Sequence, residues 1–138
     1  MAIKTLIKFI LRNPLLLMYR INKTTKEFYR AGFISTAISE GIYDVLSKGP
    51  AICKDIQKAI GTSLNQEGLE AWLDLGVAIG ELAKSSTGYS IKSPLSKELL
   101  KSTNDTWKAF LQARVEIFYS YIIKTPAFLK ENKKFDFS

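Results

Sequence analysis

Apolar residues recur every three or four positions along most of the chain, in segments separated by glycine, proline and short polar turns. Spacing of this kind predicts amphipathic helices. The most regular segment is 27–48, whose apolar face holds Phe28, Ala31, Ile34, Ile38, Ile42 and Val45. Gly49 and Pro50 follow that segment and predict its end. Shorter helices are predicted over 15–21, 53–60 and 95–101.

The stretch 64–92 begins with helical spacing and ends with two short strand-like segments, 81–84 and 89–92. The loop between those segments contains Gly88, which predicts a β-hairpin. A winged helix has this order of elements: a long helix, two short helices joined by a tight turn, and then a hairpin. The predicted fold class is therefore mainly α, a winged-helix-like helical domain with a short β-hairpin wing and long flanking helices.

The last long helix is predicted over 105–124, and Thr125-Pro126 is expected to end it. Its aromatic residues are Trp107, Phe110, Phe118, Tyr119 and Tyr121. A single small domain cannot easily bury an apolar face of this width, so part of the face is expected to meet a partner chain. The candidates for a dimer interface or a substrate lid are Phe28, Trp107, Phe110, Phe118 and Tyr121.

Positive charge is concentrated at the N-terminus. Residues 1–30 hold seven basic side chains against the single acidic Glu27, a net charge of +6, which leaves +1 of the total +7 for the rest of the chain. Charge and pattern together predict three regions. They are a basic amphipathic N-terminal arm at 1–26, the winged-helix-like dimerisation domain at 27–124, and a tail or linker at 125–138.

Within the arm, Lys4, Lys8 and Arg12 are four residues apart and share one face of a predicted helix, with apolar residues on the other face. One interpretation is a helix lying on an anionic membrane surface. The other is an arm whose apolar face packs on the body or on a partner chain. Charges and a proline interrupt the apolar run and no small-residue cleavage site follows it, which argues against a membrane span and a secretory signal. The expected location is cytoplasmic, with membrane association through the arm as the alternative.

The composition removes several kinds of chemistry. The sequence has no histidine and a single cysteine, Cys53, so an internal disulfide, a zinc site and Ser-His or Cys-His catalysis are not expected. Cys53 lies at the start of a short predicted helix and is interpreted as a structural, half-buried residue. Gly76 and Gly80 lie inside a predicted helix, where they favour close helix contact over nucleotide binding. No catalytic, cofactor-binding or metal-binding residue is predicted.

A winged helix also raises the question of DNA binding. Between residues 65 and 83 the sequence has Glu67, Glu70, Asp74 and Glu81 and no basic residue. Because phosphate neutralisation dominates DNA affinity, an acidic helix is poorly suited to a groove. A DNA-binding regulator that uses the wing and the basic arm remains the alternative to a dimerisation domain.

Two stretches resemble a known family. FISTAISEGIYDVLSKGPAICKDIQKAIG (33–61) is similar to the opening of the N-terminal domain of class I S-adenosylmethionine-dependent methyltransferases of the small-molecule O-methyltransferase type. LEAWLDLGVAIGELAKSSTGYSIKSPLSKELL (69–100) is similar to the next phrase of that domain. In this match Gly80 falls at the helix-to-wing junction and Tyr89 on the wing tyrosine, with Trp107 near a tryptophan in the following helix. The resemblance covers roughly residues 28–124.

The resemblance implies a winged-helix-like module that forms a homodimer and helps to cover the pocket for a small-molecule methyl acceptor. In the family a Rossmann-like domain follows and holds S-adenosylmethionine and the catalytic residues. None of those motifs occurs in this sequence, so no cofactor or catalytic residue can be assigned to it. The chain is expected to be the non-catalytic part of such an enzyme. The basic arm is a departure from the family pattern.

Overall fold

The computed structural model describes residues 4, 5, 7, 8, 14–61 and 65–131, and the side chains at 14, 118, 125 and 127–131 lie outside that description. In chain order the helices are α1 (Pro14–Ser39), α2 (Ile42–Leu46), α3 (Cys53–Ile60), α4 (Gln66–Ile79), α5 (Pro94–Leu99), α6 (Asp105–Ala113) and α7 (Tyr119–Glu131). A 3-10 turn, Ser102–Asn104, precedes α6, and a π-helix, Arg114–Phe118, joins α6 to α7. The structure is 77% helical with one short hairpin, which confirms the predicted fold class.

The helix-and-hairpin unit forms as its sequence predicts. The Asn65 side chain caps α4 by accepting a hydrogen bond from the Glu67 N–H, and Gly80 ends α4 in the left-handed conformation (φ 85°). Strands β1 (Leu82–Ser85) and β2 (Gly88–Ile91) then pair antiparallel. Ala51 adds a bridge to this hairpin through two main-chain hydrogen bonds with Tyr89, of 2.8 and 3.0 Å. The wing is thereby tied to the turn that precedes α3.

Helix α1 is longer than its sequence predicts. The separate helices expected at 15–21 and 27–48 are in part wrong, because α1 continues without a break from Pro14 to Ser39. The polar residues between the two predicted helices hydrogen-bond within α1. The Thr24 hydroxyl donates to the Arg20 carbonyl at 3.0 Å, and the Thr25 hydroxyl donates to the Ile21 carbonyl at 2.8 Å. The boundary proposed between residues 26 and 27 thus falls inside this helix. Among the described residues, no helix is both long and apolar enough to cross a membrane.

A turn divides the second half of the predicted 27–48 helix. Gly41 adopts a left-handed conformation (φ 72°) and separates α1 from the short helix α2. Glycine adopts this conformation without the steric penalty that a side chain would bring. Gly41 therefore changes the direction of the chain between α1 and α2.

The C-terminal helices also differ from the sequence prediction. The helix predicted over 105–124 contains the π-helical segment, and Pro126 lies inside α7 instead of ending it. A proline removes one main-chain hydrogen bond and favours a kink or a break. Here the helix continues past that loss to Glu131.

The core lies between the second half of α1, helices α2 to α4 and the hairpin. The Phe33 ring stacks on the Trp72 ring with centroids 4.0 Å apart and an angle of 14° between the planes. Gly76 makes this packing possible, because a methyl group at that position would overlap the Phe33 ring. The buried apolar residues are Phe33, Ile34, Ala37, Ile42, Tyr43, Leu46, Cys53, Ile56, Leu69, Leu73, Ile79, Leu82, Tyr89 and Leu99.

Two glycine-to-alanine changes should have opposite effects on stability. Gly76→Ala should lower the free energy of unfolding by about 1 kcal/mol, because overpacking against Phe33 outweighs the gain in helix propensity. Gly32→Ala adds a methyl group where no atom lies within 4 Å and should raise the free energy of unfolding by roughly 0.5–1 kcal/mol. Urea denaturation followed by circular dichroism measures both. Equal effects would contradict the packing of Phe33 on Gly76.

Candidate functional site

Two open apolar clefts lie beside the C-terminal helices. The first, here called the Phe28 cleft, has a volume of about 490 Å³ between α1 and the segment 111–122. Its walls are Phe28, Ala31, Gly32, Leu111, Arg114, Val115, Tyr119 and Ile122. The Phe28 ring lies 5.5 Å from the Tyr119 ring across this cleft. Arg114 provides the cleft with a positive charge.

The second cleft, here called the Trp107 cleft, lies between α5 and α6. Its volume is about 390 Å³, and its walls are Leu95, Glu98, Leu99, Asn104, Trp107, Phe110, Leu111 and Arg114. The Trp107 and Phe110 rings meet edge to face with centroids 5.9 Å apart. Leu111 and Arg114 belong to both clefts, so the two form neighbouring parts of one surface.

The candidates named from the sequence are distributed over these clefts. Phe28, Trp107 and Phe110 line them, and the exposed fractions of these residues are 55%, 63% and 47%. Tyr121 is half-buried and lines neither cleft, and the side chain of Phe118 lies outside the described part of the structure. The sequence did not select Tyr119 and Ile122, which do line the Phe28 cleft. Both stand at helical spacing from Leu111 and Val115, so the sequence pattern offered a signal for them.

The π-helix places Arg114 at the meeting point of the two clefts. Its guanidinium carbon lies 4.4 Å from the centre of the Phe110 ring, within the range of a cation–π contact. A π-helical turn holds one more residue than an α-helical turn, and such segments often occur at functional sites. Arg114 forms no ion pair among the described residues, and Glu98, which lines the same Trp107 cleft, is paired with Lys101.

A buried polar cluster lies beneath the hairpin and centres on Glu81, which is fully buried. The Arg30 Nε donates to Glu81 Oε1 at 2.7 Å, and the Ser96 hydroxyl donates to Glu81 Oε2 at 2.5 Å. The Tyr43 hydroxyl lies 3.0 Å from Ser96 Oγ and 3.5 Å from Glu81 Oε2. The hydrogen bond to Glu81 raises the pKa of Arg30, and burial raises the pKa of Tyr43 well above its usual value.

This cluster is not predicted from the sequence, in which Glu81 counts with the other acidic residues against DNA binding. One signal was available. Arg30 is four residues before Ile34 and seven before Ala37, so it belongs to the buried face of α1. A basic residue on a buried helical face requires a partner. The sequence does not identify which acidic residue is that partner, because Glu81 lies far from Arg30 in the chain and meets it only through the fold.

The wing's only lysine, Lys84, is held by the domain's own carboxylates. Its Nζ lies 2.9 Å from Asp74 Oδ1 and 3.8 Å from Glu70 Oε1. The Tyr89 hydroxyl donates to the same Asp74 oxygen at 2.8 Å. Both hydrogen bonds lower the pKa of Asp74, and the hydrogen bond from Lys84 has the larger effect. Phosphate binding through the wing would have to break these contacts.

Cys53 behaves as a structural residue. It is buried at the start of α3, and its Sγ lies 3.6 Å from the Gln66 carbonyl oxygen. Burial raises the pKa of its thiol, and the negative charges of Glu70 and Asp74 add to that effect. A raised pKa reduces the thiolate fraction at neutral pH, which opposes nucleophilic reactivity.

Gly76 and Gly80 do not form a cofactor-binding turn. The space at Gly76 is occupied by the Phe33 ring, and Gly80 ends a helix, so the pair offers no cradle for a cofactor. No group of three or more His, Cys, Asp or Glu side chains in the described residues is placed to bind a metal. The clefts offer apolar walls and one cation, which suit contact with a protein chain or an apolar molecule.

Loss of Arg30 should destabilise the fold more than loss of its partner's charge. Arg30→Met leaves a buried carboxylate without its cation and should lower the free energy of unfolding by about 3 kcal/mol. Glu81→Gln should have a smaller effect, because the Arg30 side chain is 28% exposed and can reach water. The matched control is Arg20→Met on the exposed part of α1, with an expected change of at most about 0.5 kcal/mol. Chemical denaturation measures all three, and equal changes for Arg30→Met and Arg20→Met would contradict this role.

Comparison of the chain with protein-family models, with curated proteins and with solved structures found no match.

Proposed function

We propose that the chain is a dimerisation and substrate-pocket lid domain of an S-adenosylmethionine-dependent small-molecule methyltransferase, and that it has no catalytic step of its own. The observation that carries this proposal is the exposed apolar surface formed by the Phe28 and Trp107 clefts. The methyltransferase part of the proposal is supported by the resemblance of the stretches 33–61 and 69–100 to the N-terminal domain of that family.

The surface favours a partner chain on energetic grounds. Large apolar residues on α6, α7 and the segment between them are exposed in the single chain: Trp107, Phe110, Ile117, Tyr119, Ile122 and Ile123. Monomers rarely leave a contiguous patch of this kind in water, and burial of apolar area contributes about 25 cal/mol per Å². A second copy that presents the same face would cover it symmetrically.

The clefts also suit the lid role. Their volumes of about 490 and 390 Å³ lie within the range of small-molecule pockets, and their walls are mainly apolar. Both are open to solvent in the single chain, so another chain or domain would be needed to close them. An apolar or aromatic methyl acceptor matches such walls.

A DNA-binding regulator is less well supported. The fold has the order of a winged helix, but the exposed side of α4 presents Glu67, Glu70 and Asp74, and Lys84 of the wing already binds two of them. Like charge on the DNA phosphates would oppose docking of that helix.

We also propose a cytoplasmic location, since the single buried thiol needs no oxidising compartment.

The dimer is expected to depend on Trp107. Sedimentation over a range of concentrations should show a monomer–dimer equilibrium, and Trp107→Ala should weaken it by at least about thirtyfold, as for a central aromatic contact. Trp107 is mostly exposed in the single chain, so the variant should still fold. Leu75→Ala, a partly exposed leucine of α4 that lines neither cleft, is the control and should leave the equilibrium unchanged. A strict monomer at all concentrations would count against the proposal.

The methyltransferase part needs a separate test, because a dimer alone does not identify the enzyme. An antibody against this chain should recover, from extracts of cells that make it, a species that crosslinks to labelled S-adenosylmethionine under ultraviolet light. Recovery of the chain with no labelled species would contradict this part of the proposal. Nanomolar DNA binding that weakens steeply with salt would favour the regulator instead.

A further inference from the structure

We propose that the first part of α1, residues 14–29 and here called the arm helix, docks the protein on an anionic phospholipid surface. Most of its side chains from 15 to 29 are exposed. Leu17, Met18 and Ile21 are apolar residues with exposed fractions of 57%, 55% and 56%. A group of exposed apolar side chains of this size usually marks a surface that contacts another protein or a membrane.

The arm helix has an apolar side and a basic side. With about 100° of rotation per residue, Leu17, Ile21 and Phe28 fall along one side of α1. Arg20 lies beside that side, about 80° from its middle, whereas Lys23 and Lys26 lie on the opposite half of the helix together with the exposed Leu15 and Tyr19. A helix in the membrane interface typically buries apolar residues while its long basic side chains extend from the other half to the headgroups.

The positive charge on the arm helix is free to meet an anionic surface. The Arg20, Lys23 and Lys26 side chains form no ion pair among the described contacts, and the acidic Glu27 is bound to Arg30 at 3.3 Å. Exposed Lys4 and Lys8 precede this helix and add to the same charge. Residues 31–138 are close to neutral, with a net charge of +1 of the total +7.

Charge decides between the occupants of this surface. The arm helix of a second copy could cover Leu17, Ile21 and Phe28, but it would supply no anionic group for Arg20, Lys23 and Lys26, because its acidic Glu27 is bound to Arg30. Nucleic acid would match the cations but would leave Leu17 and Ile21 in water. A bilayer with anionic headgroups satisfies both sides at once.

Vesicle binding by the full chain tests the proposal. The chain should sediment with phosphatidylcholine–phosphatidylserine vesicles and not with phosphatidylcholine vesicles, and added salt should weaken the binding. The triple variant Arg20→Gln, Lys23→Gln, Lys26→Gln should bind the anionic vesicles about a hundredfold more weakly. The matched control, Lys54→Gln, Lys58→Gln, Lys97→Gln, removes the same charge from exposed sites on α3 and α5 and should bind nearly as the unaltered chain does.

A second variant tests the apolar side. Leu17→Gln with Ile21→Gln keeps helix-favouring residues and all charges, and should weaken vesicle binding more than tenfold. Circular dichroism would establish that each variant is folded. Equal binding to neutral vesicles, equal loss in the matched control, or no binding by the unaltered chain would each overturn the proposal. So would a loss of dimer in the Leu17, Ile21 variant with unchanged vesicle binding, because it would assign this surface to a second copy.

Discussion

The carboxylate of Glu81 is the constraint on which the other parts of this fold depend. A charge that is removed from water must find hydrogen bonds and an opposite charge, or the structure is destabilised by several kcal/mol. Glu81 obtains the charge from Arg30 of α1 and a hydroxyl from Ser96 of α5, with Tyr43 of α2 beside them. Its main-chain N–H donates to the Gly76 carbonyl, and its own carbonyl accepts from Lys92 and Ser93. One residue thus fixes the positions of four helices relative to the wing.

This cluster also explains how the exposed surfaces arise. Because Arg30 and Phe33 hold the second half of α1 against the wing and α4, the first half extends beyond the core and keeps its side chains in water. The C-terminal helices meet α1 near Phe28 and cover little of it. The domain therefore has a well-packed centre and two apolar regions outside it, the pair of clefts and the arm helix. The proposals for a second copy and for a lipid surface concern these two regions, which share Phe28.

Local signals in the sequence were sufficient for the parts of the fold that local chemistry determines. Asn65 and Ser93 cap α4 and α5, Gly80 ends α4, and the hairpin forms within one residue of its predicted strands. The errors lie where local signals compete with distant contacts. Gly41 could have lain inside a helix, and Pro126 could have ended one. Arg30 and Glu81 are 51 residues apart, so no window of sequence contains both members of the pair. Of the candidate residues, Phe28, Trp107 and Phe110 line clefts, and Tyr119 could have been added to them from its helical spacing to Leu111 and Val115.

The π-helix at Arg114–Phe118 has a consequence for sequence comparison. A π-helical turn accommodates one additional residue, so every side chain after it is rotated by one position relative to a straight α-helix. A relative in which this region is an uninterrupted α-helix would align with this chain only if a one-residue gap were opened between positions 114 and 118. An ungapped alignment would equate Tyr119 with a residue that faces another direction, and would assign the wall of the Phe28 cleft to the wrong side of the helix.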